Sequence, residues 1–163
     1  MRDVIIDADI ASTFGKIGKF DLLRKLFPDS RTFVSAAVGE ELSNAKERGY
    51  GFVDEVLRST DVIAPTQKEE EEVVRLLLHR TLGKGEAESI VIAKARQMFL
   101  LTNDRIAVRE AIKENIDVMD LPSVIRQLWR HRVVSKQSAR DMTSEIEEKD
   151  NIIFSDKEAI FEE

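Results

Sequence analysis

The chain has 163 residues, enough for one domain whose core needs no covalent staples. Its composition, 42% hydrophobic and 34% charged, is that of a globular protein, and the lack of cysteine excludes disulfides and thiolate metal sites. Two histidines exclude a histidine-rich zinc centre, and a net charge of −6 argues against gripping nucleic acid by overall charge. With no apolar run near the length of a membrane span and no leader ahead of the first strand, the chain is expected to be cytoplasmic.

Residues 3–7 (DVIID), an apolar run bounded by acids, predict a buried strand. A helical stretch from about 10 to 26 follows, broken between Gly15 and Gly18, with Phe20, Leu23 and Phe27 on one face. Beyond Pro28, residues 31–35 read as a second strand, 36–48 as a helix ending at Gly49, 52–57 as a short helix and 61–64 as a short strand. Residues 67–81 read as a helix, and its run Glu69, Glu70, Glu71, Glu72 reads as surface charge placed where the helix dipole favours it. After Gly83 and Gly85 come a helix over 86–97, a strand over 98–102, a helix over 105–115, a short strand over 117–119 and a helix over 121–131. Terminal helices over 137–147 and 156–161 flank the apolar NIIF. The stretch 126–140 holds five basic residues and no acid, and reads as a solvated face.

Strands alternating with helices predict an α/β fold of three layers, α/β/α, around a mainly parallel sheet of four to five strands with right-handed crossovers. One domain over 1–163 is expected, with the region from about 121 packing on it or on a partner.

In such a sheet, strand C-termini and helix N-termini meet at one edge, where ligand crevices form. Asp7 closes the first strand and Asp9 lies two residues on; Glu86 opens a helix and Asp104 follows the strand FLLT. Of the pair Glu40 and Glu41, Glu41 shares a face with Val38, Leu42 and Ala45 and is expected along the buried side, with Glu40 about 100° away. The same test selects Glu86, in phase with Ile90, Ala93 and Gln97, over Glu88. Singly, each acid has a bland use as a cap or a dipole partner. Four at one edge repel one another and need protons or cations to coexist. Oxygen ligands without His or Cys suit Mg2+ or Mn2+, which accept phosphate oxygens and activate water toward a phosphodiester. Gly83-Lys84-Gly85 lacks the third glycine of a dinucleotide fingerprint, and neither His79 nor His131 completes a Ser–His–acid set. Trp129, one helical turn after Ile125, reads as core.

Four segments, VIIDADI, VSAAVGEEL, GEAESIVIAKA and LLTNDRIAVREA, resemble in order those of the PIN-domain nucleases, especially the small archaeal and bacterial group that includes toxins of the VapC type. The stretch DLPSVIRQLWRHRVVS resembles the tail of one archaeal branch, so the likeness covers nearly the whole chain. Matched residue by residue, the resemblance implies that Asp7, Glu41, Glu86 and Asp104 are catalytic and hold Mg2+ or Mn2+. Thr102 and Asn103 support them. Asp9 stands where many members carry Ser or Thr and adds a carboxylate, and Glu86 stands where toxin members often carry Asp. A metal-dependent endoribonuclease is implied, acting on RNA, usually a homodimer and often paired with an antitoxin. Lys84, Arg105 and Arg109 lie near the same edge and are expected to hold RNA phosphates. The alternatives are a catalytically weak module of the same fold that binds RNA or protein, and a haloacid-dehalogenase-type phosphatase built on the Asp7-x-Asp9 strand end.

Overall fold

The structure, a computed structural model, describes residues 2–163. Five strands, β1 (Val4–Ile6), β2 (Thr32–Ser35), β3 (Asp61–Ile63), β4 (Phe99–Leu101) and β5 (Val118–Met119), form one sheet. Their order is β3-β2-β1-β4-β5, and each neighbouring pair is parallel. Nine helices among the described residues surround it: α1 (Ala8–Lys16), α2 (Asp21–Leu26), α3 (Ala36–Glu47), α4 (Val53–Ser59), α5 (Gln67–His79), α6 (Lys84–Arg96), α7 (Arg105–Lys113), α8 (Leu121–Arg130) and α9 (Lys136–Asp150). A four-residue 3-10 turn, Glu158–Phe161, ends the fold. None of these helices is long and apolar enough to cross a membrane.

The three layers follow from the two-residue period of the central strand. Val4 and Ile6 of β1 join a core with Ile10, Phe14, Leu42 and Leu128. Ile5 points the other way and joins Ile90, Ile92, Leu100 and Ala107. Both faces of the sheet are therefore covered, which is what a parallel sheet of short apolar strands requires. From β1 the chain winds outward through β2 to β3, then returns to place β4 on the other side of β1. The strand order reverses between β1 and β4, and the crevice of such a sheet lies at that point, beyond the strand C-termini.

Four expectations are corrected. The helix expected over 10–26 is two helices. Asp7 starts α1 by accepting the Ala8 N–H, two residues early, and Gly18 makes the break at φ +68°, a conformation that costs glycine little. Glu69 is buried: it closes a capping box with Thr66 and takes the Arg96 guanidinium on both oxygens, at 3.0 and 2.8 Å. The basic stretch 126–140 is no freely solvated face, because it holds the acidic tail. Arg126 and Arg130 donate to the Ala159 and Glu162 carbonyls, and Arg140 pairs with Glu158. Trp129 is half-buried and donates from Nε1 to the Ile160 carbonyl at 3.1 Å. Lastly, the final helix is only the 3-10 turn, while α9 runs on to Asp150. That carboxylate takes Thr13 Oγ1 and Lys16 Nζ at 2.5 Å each, fastening α9 to α1.

Candidate active site

Asp7 is the first residue past β1, at the reversal point. Its N–H donates to the Leu101 carbonyl at 2.9 Å, which fixes it against the end of β4. Its side chain is 2% exposed; Oδ1 accepts from the Ala8 N–H at 2.9 Å and Oδ2 from Thr102 Oγ1 at 2.8 Å. Thr102 Oγ1 in turn accepts the Asp104 N–H at 3.3 Å, so one hydroxyl links the acids that follow β1 and β4. Asp104 caps α7 by accepting the Ala107 N–H at 2.7 Å. Asp9, in the first turn of α1, accepts the Ile10 N–H at 2.7 Å and the Asn103 N–H at 2.9 Å. Asn103 is held from its other end, where its Oδ1 accepts the Leu121 N–H at 3.2 Å.

Glu41 and Glu86 come from the helices α3 and α6, which pack on each other. An alanine Cβ at Gly85 would fall 2.5 Å from Glu41 Oε1 and 3.1 Å from Val38 Cγ2. The bare backbone of Gly85 is what lets the Glu41 carboxylate lie over the first turn of α6. Glu86 folds back over Gly83 in the same turn. Near a helix N-terminus both carboxylates meet the favourable end of the dipole.

The five acids sense one another. Burial raises the Asp7 pKa well above the usual carboxylate range, and Asp9 and Glu86 add to it against the hydrogen bonds from Thr102 and Ala8. Asp9 is pushed up to about 6 by burial, with Glu86 and Asp104 adding to the rise against its two backbone hydrogen bonds. Glu41 is raised by burial, then by Glu86 and Asp9. Among the described residues none of the five is in an ion pair. The crevice therefore carries a surplus of negative charge that a cation would relieve.

Among the described residues no three acids or histidines close on one point as a ready ligand cage. The donors the crevice offers are oxygens, with no His or Cys among them, a set whose chemistry suits Mg2+ or Mn2+.

The structure thus brings Asp7, Glu41, Glu86 and Asp104 within electrostatic reach of Asp9 or of one another at one end of the sheet, with Thr102 and Asn103 hydrogen-bonded to Asp7 and Asp9. It leaves Lys84 exposed at the start of α6, and Arg105 and Arg109 on the exposed side of α7. Glu41 corrects the expectation of a buried side: it is exposed to the crevice, while Val38, Gly39 and Leu42 face the core. The phase argument for Glu86 over Glu88 also fails as stated, because α6 is buried along nearly its whole girth. Glu88 is the more buried of the two, at 2% exposed, and its Oε2 accepts the Ala37 N–H at 2.8 Å. With Ser35, which accepts the Val38 N–H, it satisfies the first turn of α3 from another helix. Glu88 therefore positions α3, the helix that carries Glu41. Asp9 stands at the centre of the electrostatics rather than beside it, and the Asp-x-Asp spacing at a strand end was its signal in the sequence.

A family model described as a PIN domain matches residues 3–159. Among solved structures, the crystal structure of PAE2754 from Pyrobaculum aerophilum aligns with a TM-score of 0.53 at 18% identity, over 77% of this chain and 96% of that chain. At that identity the likeness speaks for the fold alone. Comparison with curated protein sequences gives no match.

Proposed function

The chain belongs to the PIN-domain family, a fold of the nuclease type, and we propose that it is a metal-dependent endoribonuclease. The observation that carries this reading is the gathering of five carboxylates from four elements at the β1/β4 crevice, three of them with raised pKa. Asp7, Glu41, Glu86 and Asp104 would hold Mg2+ or Mn2+, directly or through water. When bound, such an ion neutralises the crowded charge and activates water toward a phosphodiester. The remaining steps belong to the chain's own side chains. Thr102 Oγ1 donates to Asp7 Oδ2, which holds that oxygen in place and partly opposes the rise in its pKa. Asp9 holds the Asn103 N–H and thereby the turn that presents Asp104. Lys84, Arg105 and Arg109 would take the phosphates that flank the scissile bond, since phosphate contacts set register in nucleic-acid binding.

The finer assignment, the toxin of a toxin–antitoxin pair acting as a cytoplasmic homodimer, rests on the likeness of the four motif segments to VapC-type proteins. A short adjacent gene encoding a DNA-binding antitoxin would support it; an adjacent gene for RNA processing would point to a housekeeping nuclease. The activity itself is tested by incubating purified protein with RNA in Mn2+, in Mg2+ and in EDTA. Cleavage only with the ion is expected. Absence of cleavage with every divalent ion would support the binding module, and hydrolysis of small phosphomonoesters without RNA cleavage the phosphatase.

A further inference from the structure

On the far side of the turn Asn103-Asp104-Arg105 lies a second groove, a cavity of about 350 Å3 between α7, the start of α8 and the segment 151–156. We propose that it receives one unpaired nucleotide of the substrate strand, its phosphate on Arg105 and Arg109 and its base or ribose on the apolar segment. The identity of the polymer as RNA rests on the endoribonuclease reading; the recognition of an unpaired nucleotide rests on the groove.

The two arginines are hard to explain as devices of stability. Arg105 is the first residue of α7, where the helix dipole disfavours a cation. Arg109 lies at i+4 on the same face, where like charges repel. Among the described residues neither arginine has a carboxylate partner, which is also true of Arg24, Arg48 and Arg58; what distinguishes Arg105 and Arg109 is that both line one groove with an apolar wall. A bound phosphate reverses both penalties, and a guanidinium pair matches its oxygens. Asp120 and Asp156 also line the groove, but each is engaged as a cap, accepting the Ser123 N–H at 3.0 Å and the Ala159 N–H at 3.1 Å.

The opposite wall is apolar and already formed. Ile152 and Phe154 pack down onto the core, which turns Ile153 outward at 88% exposure. The segment is fastened at both ends. Asn151 ends α9 in the left-handed conformation, and Lys157 bonds Glu147 at 2.5 Å just before the clamped 3-10 turn. An exposed isoleucine on the wall that shares the groove with two guanidinium groups offers cations for a phosphate and an apolar face for a base or ribose. The cavity's size, at the lower end of small-molecule sites, admits a single nucleotide and not a duplex. Asn103 donates its N–H to Asp9 in the carboxylate crevice and accepts the Leu121 N–H on Oδ1 beside the groove, so one turn walls both.

The test is fluorescence anisotropy of end-labelled octauridine RNA with the full chain in Ca2+, read apart from any cleavage. Arg105→Ala/Arg109→Ala should bind about tenfold more weakly, and its salt dependence should flatten by about 0.7 in log–log slope for the one lost phosphate contact. Ile153→Ser should bind about threefold more weakly with the slope unchanged, and should leave binding of a blunt RNA duplex as in the wild type. The control Arg24→Ala/Arg58→Ala, at the opposite edge of the sheet, should bind octauridine as the wild type does, and all variants should melt with the wild type. Equal losses from the control pair, or unchanged octauridine binding in either groove variant, would overturn the subsite. The expected binding pattern in a protein that cleaves no RNA would uphold the groove and overturn the nuclease reading.

Discussion

Replacing Asp9 by asparagine should stabilise the metal-free protein while removing part of its charge. An aspartate ordinarily titrates near ~3.9, and in the fold Asp9 is pushed up to about 6 by burial, Glu86 and Asp104. Folding thus favours its protonated form. The sign is that of a raised acid: no cost below the unfolded value, a growing cost as pH climbs toward the folded value, and the full cost above it. That cost is about 3 kcal/mol at pH ~7.5 and about 1 kcal/mol at pH ~4.5. Asparagine offers one acceptor oxygen where Asp9 uses two, for the Ile10 and Asn103 N–H groups, and losing one returns about 1–2 kcal/mol. The variant should therefore gain about 1–2 kcal/mol at pH ~7.5 in EDTA, a rise of roughly 3–6 °C in Tm for a chain of this size. Near pH ~4.5 the gain should vanish. Scanning calorimetry at the two pH values measures both quantities, and Mn2+ should raise the wild type more than the variant. A variant less stable than the wild type at the higher pH, or one equally stabilised at both, would refute the electrostatic account.

Glu88→Ala should destabilise the fold by about 2–3 kcal/mol in urea titrations, because it leaves the buried Ala37 N–H without an acceptor. Glu88→Gln, which keeps an oxygen there, should lose less than half as much. Gly85→Ala should weaken Mn2+ binding about tenfold in calorimetric titration by pushing Glu41 from its place over α6. Its Tm should shift by only a few degrees, since alanine's better helix propensity offsets part of the crowding. A large fall in Tm with Mn2+ affinity intact would show that Glu41 does not depend on Gly85.

Much of this architecture is legible in the sequence because its signals are local. The short apolar runs VII and FLL and the glycine breaks depend on neighbours a few positions away. So do the acids after the first and fourth strands, Asp7 and Asp104, which mark the sheet edge before any contact is known. What escaped the sequence is set by partners far along the chain. Glu69 looks like one of four surface glutamates until Arg96 arrives from α6. The basic stretch looks solvated until the tail folds back onto it. Helix phase chose Glu86 for a reason that does not hold, since a helix buried on almost all sides has no polar face to read. Both of its acids are used, Glu86 toward the crevice and Glu88 beneath α3, and only the packing of α3 on α6 separates those roles.

The most direct test compares Mn2+-dependent RNA cleavage by the wild type with that of Asp7→Asn and Asp104→Asn, which differ from it by one charge each. The account predicts that both lose at least about a hundredfold in rate while remaining folded, a loss on the scale of one missing transition-state contact. Cleavage that persists at the wild-type rate in either variant would contradict the carboxylate site.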